Sequence, residues 1–271
     1  MTTSRVEPIL TLRQDGISAA ERRIAIEAPV AIEVDGLGYA VMMMTPADLA
    51  EFAIGFMLTE RLADSAADVV DVDPFEADAG WIVRVALSKR CRGRIQDRVR
   101  HRTSDTSCGL CGIAGLEQLR KPVPRRPGKP AVAPSALFAA LDALRTHQPL
   151  NAATGAIHAA AACDRQGQIV AAYEDVGRHN ALDKLIGAAA MRGGAGEGER
   201  AGFILVTSRI SFEMVDKALV AGTPMLVGIS APTSLAIDHA RAHGLTLLAL
   251  ARRDAILVAN DPWNVFPVDR P

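Results

Sequence analysis

Two cysteines three positions apart sit in a loop of small residues, Thr106-Ser107-Cys108-Gly109-Leu110-Cys111-Gly112. Thiols at this spacing can close a disulfide, supply half of a metal site, or carry sulfur on one of them. Between Ser88 and Lys129 lie twelve Lys or Arg and only three acids, in a chain whose net charge is -1. Clustered cations stabilise thiolate over thiol, and the thiolate is the nucleophile. Ile113, Leu116 and Leu119 follow at helical spacing. That predicts Cys111 near a helix N-terminus, where backbone N–H groups also favour an anion. The plainer reading is a solvated basic loop beside an ordinary thiol pair. The paired glycines and the charge concentration favour reactivity.

Other candidate chemistry is thinner. A structural zinc site needs four ligands. His239 and His243 stand at i and i+4, but far from the thiols in sequence, and read as helix-surface residues; no metal of the protein's own is expected. A zinc deaminase would need His-x-Glu and then Pro-Cys-x-x-Cys. Here no His precedes Glu by two, and no Pro precedes Cys108. A thioredoxin-like enzyme would set its thiols near a βαβ pattern, whereas these follow a basic connector. His179 and Asp183, also i and i+4, could interact, as an acid–base pair or as a structural ion pair; Asp175 is weighed with them. Cys163, in an Ala-rich segment, reads as a buried small residue. Cys91, between arginines, has no partner at motif spacing.

The elements that must position these groups divide the chain. Residues 1–120 read as a small α+β domain ending in the basic segment and the thiol loop. It holds a hairpin over Ala28 to Val41 around Asp35-Gly36. A helix over Ala47 to Leu62 follows, with Thr45 as its cap and Pro46 at its start. A strand spans Trp81 to Leu87. Met42-Met43-Met44 reads as packing. Residues 121–134, with Pro122, Pro124, Pro127, Pro130 and Pro134, read as a stiff linker. Residues 135–271 begin with a helix capped by Ser135 and continue as strand–turn–helix units. The strands are Ile169 to Tyr173, Gly202 to Val206, Met225 to Ile229 and Thr246 to Leu250, then Ala255 to Val258. The helices are Asn180 to Ala190, Ser211 to Ala221 and Ser234 to His243. Gly193 to Gly198 reads as a surface loop. This alternation predicts an α/β fold with a mainly parallel sheet.

In such sheets ligands bind at the C-terminal ends of the strands, beside helix N-termini. Arg178, Thr207, Ser208, Arg209, Ser230, Thr233, Ser234 and Arg252 would line that rim. Any one Ser or Thr there can be a plain cap, but three such turns, two with an Arg, suit a phosphate-bearing ligand. Composition narrows the classes further. Hydrophobic residues make up 49% and charged residues 23%, ordinary for a globular domain. Aromatics at 4% and a near-neutral total argue against a nucleic-acid binder. The N-terminus lacks an apolar leader segment, and no apolar run is long enough to span a membrane. The cytoplasm is the expected compartment.

Read together, the motifs resemble the formate dehydrogenase accessory sulfurtransferase (FdhD) family along nearly the whole chain. They are Glu27-Ala28-Pro29, Thr45-Pro46-Ala47-Asp48, Ala53-Ile54-Gly55-Phe56-Met57-Leu58-Thr59-Glu60 and Ser107-Cys108-Gly109-Leu110-Cys111-Gly112. Tyr173 through Lys184, Thr207-Ser208-Arg209 and Ser230-Ala231-Pro232-Thr233 complete the set. The resemblance implies a cytidine-deaminase-like C-terminal domain without the zinc chemistry. It implies a sulfur carrier that accepts persulfide sulfur from a cysteine desulfurase. The sulfur goes to the molybdenum cofactor, as bis-molybdopterin guanine dinucleotide, that formate dehydrogenase needs. Cys108 matches the persulfide carrier and Cys111 its companion. The family's cofactor-binding segment maps to Leu250-Ala251-Arg252-Arg253-Asp254-Ala255. This chain departs from the family pattern there, with Arg253 in place of a glycine and Ala255 in place of an arginine. A homodimer is implied as well. The alternatives left open are a non-catalytic cofactor chaperone and a thiol–disulfide oxidoreductase.

Overall fold

A computed structural model describes residues 1–96, 123, 126–193 and 201–267. The thiol loop with Cys108 and Cys111, the helix expected after it, most of the basic segment, Pro122 and Pro124 of the linker and most of the 193–198 loop lie outside the described residues.

Strands β1 (Ser4–Arg13) and β2 (Gly16–Ala25) pair antiparallel as a separate two-stranded ribbon. The expected hairpin forms from β3 (Ala28–Val34) and β4 (Leu37–Met44). Asp35 and Gly36 between them both take positive φ (48° and 79°), as a tight two-residue turn requires. Strands β5 (Val69–Ala77) and β6 (Gly80–Leu87) complete a four-stranded sheet ordered β4-β3-β6-β5. Helix α1 (Leu49–Thr59) lies on it. The helix starts later than the sequence suggests, because Thr45 does not cap it. The Thr45 hydroxyl instead accepts from the backbone N–H of Val176 at 3.1 Å. Asp48 then turns the chain through a left-handed conformation (φ 52°) before the helix begins.

Helix α2 (Pro134–Ala143) carries Pro134 in its first turn, so the helix begins one residue before Ser135. After the short α3 (Pro149–Thr154) come β7 (His158–Asp164), β8 (Ile169–Asp175), α4 (Arg178–Met191), β9 (Ala201–Val206), α5 (Phe212–Val220), β10 (Met225–Gly228), α6 (Ser234–His243), β11 (Thr246–Ala249) and β12 (Leu257–Asn260). The second sheet is ordered β12-β11-β10-β9-β7-β8. It is mixed, which corrects the mainly parallel expectation. Parallel pairing is confined to β9–β10 and β10–β11. β7 inserts antiparallel between β8 and β9, and β12 closes the far edge antiparallel. The four-residue link from β7 to β8 is too short for a parallel crossover.

Alternation along these strands feeds two cores. Ile204, Val206, Leu226 and Leu247 face the helices α1, α4, α5 and α6 and, beyond them, the small sheet. Phe203, Leu205, Met225, Val227 and Leu248 face α2 on the other side. Cys163 is buried in that second core, as its Ala-rich setting predicts, and burial pushes its thiol up to about 12. Of the three consecutive methionines Met44 is fully buried, but Met43 is half exposed because neighbours on a strand point opposite ways. None of the described helices is long and apolar enough to cross a membrane.

Helices α1 and α4 cross in backbone contact. A Cβ on Gly55 would lie 1.8 Å from the Asp183 carbonyl oxygen, and one on Gly187 would lie 1.8 Å from that of Glu51. Only glycine fits at either position.

Candidate functional site

The C-terminal ends of β8, β9, β10 and β11 meet along one edge of the large sheet, and α4, α5 and α6 start there. Backbone bonds brace this rim. The Ile229 N–H donates to Val206 O at 3.0 Å, Ala251 to Gly228 O at 3.1 Å and Leu250 to Ser230 O at 3.2 Å. Ile210 and Ala231 join the second and third turns at 3.1 Å. Leu250 is held at φ 47°, a left-handed conformation that a leucine rarely adopts.

Several rim side chains expected to meet ligand also make bonds within the protein. Thr233 caps α6 by accepting from Ala236 N. Thr207 Oγ1 accepts from Ala159 N at 2.9 Å, and the buried Ser208 hydroxyl donates to Arg209 O at 3.0 Å. Arg252 donates to the carbonyls of Ile229 and Ala251 and so folds back over the end of β10. Its backbone N–H closes the Arg252–Ala255 turn on Ala255 O at 2.8 Å. Arg253 leans the other way, to Asp142 of α2 at 3.1 Å, and Asp254 and Ala255 are exposed. Arg209, Thr233 and Ser234 are exposed, while Arg178 and Ser230 are half-buried. The Nε of Arg178 is buried with no hydrogen-bond partner among the described residues. Beside it His158 is held below its ordinary pKa, first by burial and then by the Arg178 charge. Among the rim side chains, Arg209 is exposed and Arg178 and Ser230 are half-buried, whereas Thr207, Ser208, Thr233 and part of Arg252 make bonds within the protein.

Away from the rim, the motif residues make two buried ion pairs. Asp175 and Lys184 are both fully buried, 2.7 Å apart. Asp175 also accepts from the backbone N–H of Thr45 (3.1 Å) and Gly177 (2.7 Å) and from the Asn180 amide (3.0 Å). Lys184 donates to Thr45 O and Glu174 O, and Asn180 to Met43 O at 3.0 Å. Asp183 receives both carboxylate bonds from Lys217 at 2.8 Å and one from Thr59 at 2.8 Å. Burial raises the pKa of Asp183. These networks tie α1 and the start of its loop to α4, across more than 120 residues of sequence. His179 and Asp183 therefore do not form a pair. His179 turns to Glu213 at 3.0 Å, and its bond lowers the Glu213 pKa. Sequence reasoning had no signal for Lys217 as the partner of Asp183, which it meets from a different helix, and it read Asp175 and Lys184 within one motif without pairing them.

A third cluster joins Asp216 to Arg61 through two 2.8 Å bonds and to His239 at 3.3 Å. Burial opposes ionisation of Asp216 most strongly, but the bonds from His239 and Arg61 hold its pKa down to about 2. His239 is buried, its ring tilted against Phe212 and meeting His243 edge-on, not on the helix surface as its spacing suggested. Among the described residues, Asp64, Asp68 and Cys91 bring potential metal-ligand atoms within 4.8 Å of one another. Their carboxylates are already engaged by Arg90 and Arg94, at 2.5 and 2.7 Å, and Cys91 is fully buried.

The model of the FdhD/NarQ family matches residues 25–265. The "Sulfur carrier protein FdhD" of Variovorax paradoxus is 40% identical over 89% of this chain and 86% of its own length. The protein of the same name from Xanthomonas campestris pv. campestris is 43% identical over 89% and 85%. A crystal structure described as a formate dehydrogenase accessory protein from Desulfotalea psychrophila superposes with a TM-score of 0.74. It covers 97% of this chain and 99% of its own, at 23% identity, so the likeness is one of fold. With its thiol motif, its seam of paired motif residues and a match that runs from the β3 strand to the end of the large sheet, the chain belongs to the FdhD/NarQ family.

Proposed function

We propose that this chain is a sulfurtransferase that accepts sulfur from a cysteine desulfurase and passes it to the molybdenum cofactor required by formate dehydrogenase. The observation that carries the reading is the segment Ser107-Cys108-Gly109-Leu110-Cys111-Gly112 in a chain whose relatives are named sulfur carriers. In the loading step the Cys108 thiolate attacks the outer sulfur of the donor's persulfide. The donor's S–S bond breaks, its thiolate leaves, and Cys108 holds the persulfide. The basic segment from Ser88 to Lys129 favours the attacking thiolate and draws in an anionic cofactor. Cys111 is the companion thiol that can release or protect the carried sulfur.

The acceptor, bis-molybdopterin guanine dinucleotide, is cargo and brings phosphates. Arg178, Arg209 and Ser230, with the backbone of the Leu250–Ala255 turn, form the rim that supports its nucleotide ends. In this reading residues 135–271 are a cytidine-deaminase-like domain, residues 1–120 present the thiol loop, and the protein works in the cytoplasm as a homodimer. Cys108→Ala should abolish maturation of formate dehydrogenase in cells that lack their own copy of this protein, with no change in its unfolding temperature. Normal enzyme activity in those cells would overturn the proposal and leave the cofactor-chaperone reading, in which Arg209→Ala matters and Cys108→Ala does not.

A further inference from the structure

The ribbon β1–β2 stands apart from both sheets. Its register sets Val6 opposite Arg23, Pro8 opposite Glu21, Leu10 opposite Ala19 and Leu12 opposite Ile17, so these side chains share one face. The other face is the inner one. Glu7, Ile9, Thr11 and Ala20 are half-buried there, and Arg22 donates to Thr154 O of α3 at 3.2 Å. Every side chain just paired on the first face is exposed. Leu12 at 77% and Leu10 at 73% are the most exposed large apolar side chains among the described residues, and Ile17 beside them stands at 66%. Single exposed apolar residues need no explanation, but a contiguous stripe marks a contact surface. A two-stranded ribbon is also marginal by itself and gains stability when a face is covered.

This face is complementary to itself. When two copies meet face to face about a two-fold axis parallel to the ribbon, β1 of each lies over β2 of the other. Leu12 then meets Ile17 of the partner subunit and Leu10 meets Ala19 of the partner subunit, each contact made twice by symmetry. Nearer the base of the ribbon, Arg23 lies diagonal to Glu21 of the partner subunit, a spacing that long side chains can bridge. Apolar groups gather at the turn end and opposite charges meet at the base. Strands of ten residues give a face about 30 Å long. Two such faces closed on one another bury on the order of 1,200 Å², the lower end of what a stable interface needs. Any other partner would have to supply the same apolar stripe with the charges in the opposite order, which a second copy supplies by symmetry. We propose that the outer face of the β1–β2 ribbon is the surface through which two copies of this chain associate. The inference rests on the homodimer of the proposed function and not on its sulfur chemistry.

The test is sedimentation equilibrium of the full chain over a concentration series. The wild type is expected as a reversible dimer. Leu12→Glu and Ile17→Glu each place a charge in the apolar contact and should raise the dissociation constant by about a hundredfold or more. Both side chains are exposed in the single copy, so each variant should keep the wild-type circular dichroism spectrum. Glu21→Arg and Arg23→Glu should each weaken the dimer by about fivefold, and the double variant, which restores opposite charges across the axis, should recover the wild-type value. A monomeric wild type would overturn the inference together with the homodimer. A dimer unmoved by both Leu12→Glu and Ile17→Glu would overturn the ribbon face while leaving the homodimer standing. A double charge variant no tighter than the two singles would overturn the face-to-face arrangement.

Discussion

Polar motif residues crowd two regions of this molecule and do opposite work in them. At the seam between the two sheets, Thr45, Thr59, Asp175, Asn180, Asp183, Lys184 and Lys217 are buried and satisfied by one another. At the rim, Arg178, Arg209, Ser230 and Ser234 keep exposed or half-buried polar groups beside three helix N-termini. Both regions look alike in sequence, as short strings of Asp, Thr, Ser, Asn and basic residues. The difference lies in partners: seam residues bond one another, in part across more than 120 residues of sequence, whereas Arg209 and Ser234 at the rim are exposed. Motif density alone therefore marks where this chain is held together as readily as where it presents exposed polar groups.

The sharpest way to break this contrast is to remove one seam partner. Lys184→Ala leaves the Asp175 carboxylate fully buried without its cation, and should cost about 3–5 kcal/mol, read by urea unfolding. A loss under about 1 kcal/mol would mean that water or a rearrangement satisfies Asp175. Next comes the glycine crossing. Gly55→Ala must push α1 off α4, since its methyl would meet the Asp183 carbonyl, at a cost of about 1–3 kcal/mol or more. An unchanged midpoint there would refute the backbone contact.

The Asp216 cluster adds a pH signature. Its folded pKa of about 2 lies below the ordinary 3.8, so its contribution is complete above the ordinary value. It is lost as pH falls from roughly 4 towards 2, and amounts to about 2 kcal/mol. Asp216→Asn should lower stability at pH 6 and flatten that acid limb. An equally steep limb in the variant would assign the loss to other acids. The smallest effect on stability belongs to the rim. Arg209→Ala should shift unfolding by less than about 0.5 kcal/mol yet weaken binding of a guanine nucleotide. A large stability loss would place Arg209 in the scaffold with Thr207 and Thr233.

Much of this architecture can be read from the residues themselves. The apolar runs of β9 and β10, bounded by Gly and Ser-rich turns, are visible as strands, and Thr233 with Gly244 brackets α6 at the bounds the structure has. The ribbon β1–β2 escapes notice because its exposed faces mix Leu10, Leu12 and Ile17 with charges, leaving no buried stripe to mark a period. β5 hides behind Asp71, Asp73 and Pro74, and β7 behind a run of alanines that suits a helix equally well. The rim was legible because strand ends and helix starts announce it. The seam was not, since a buried lysine such as Lys184 looks in sequence like any surface lysine. The start of α1 was misplaced for the same reason: Thr45 looks like a cap but is claimed by Val176.

The central proposal is that Cys108 is the residue that carries the transferred sulfur. Intact mass measured after incubation with a cysteine desulfurase and free cysteine tests it most directly, on the wild type, Cys108→Ala and Cys111→Ala. The account predicts a reductant-reversible gain of one sulfur atom in the wild type that disappears in Cys108→Ala. A wild type that gains no sulfur, or a Cys108→Ala variant that gains it undiminished, would contradict it.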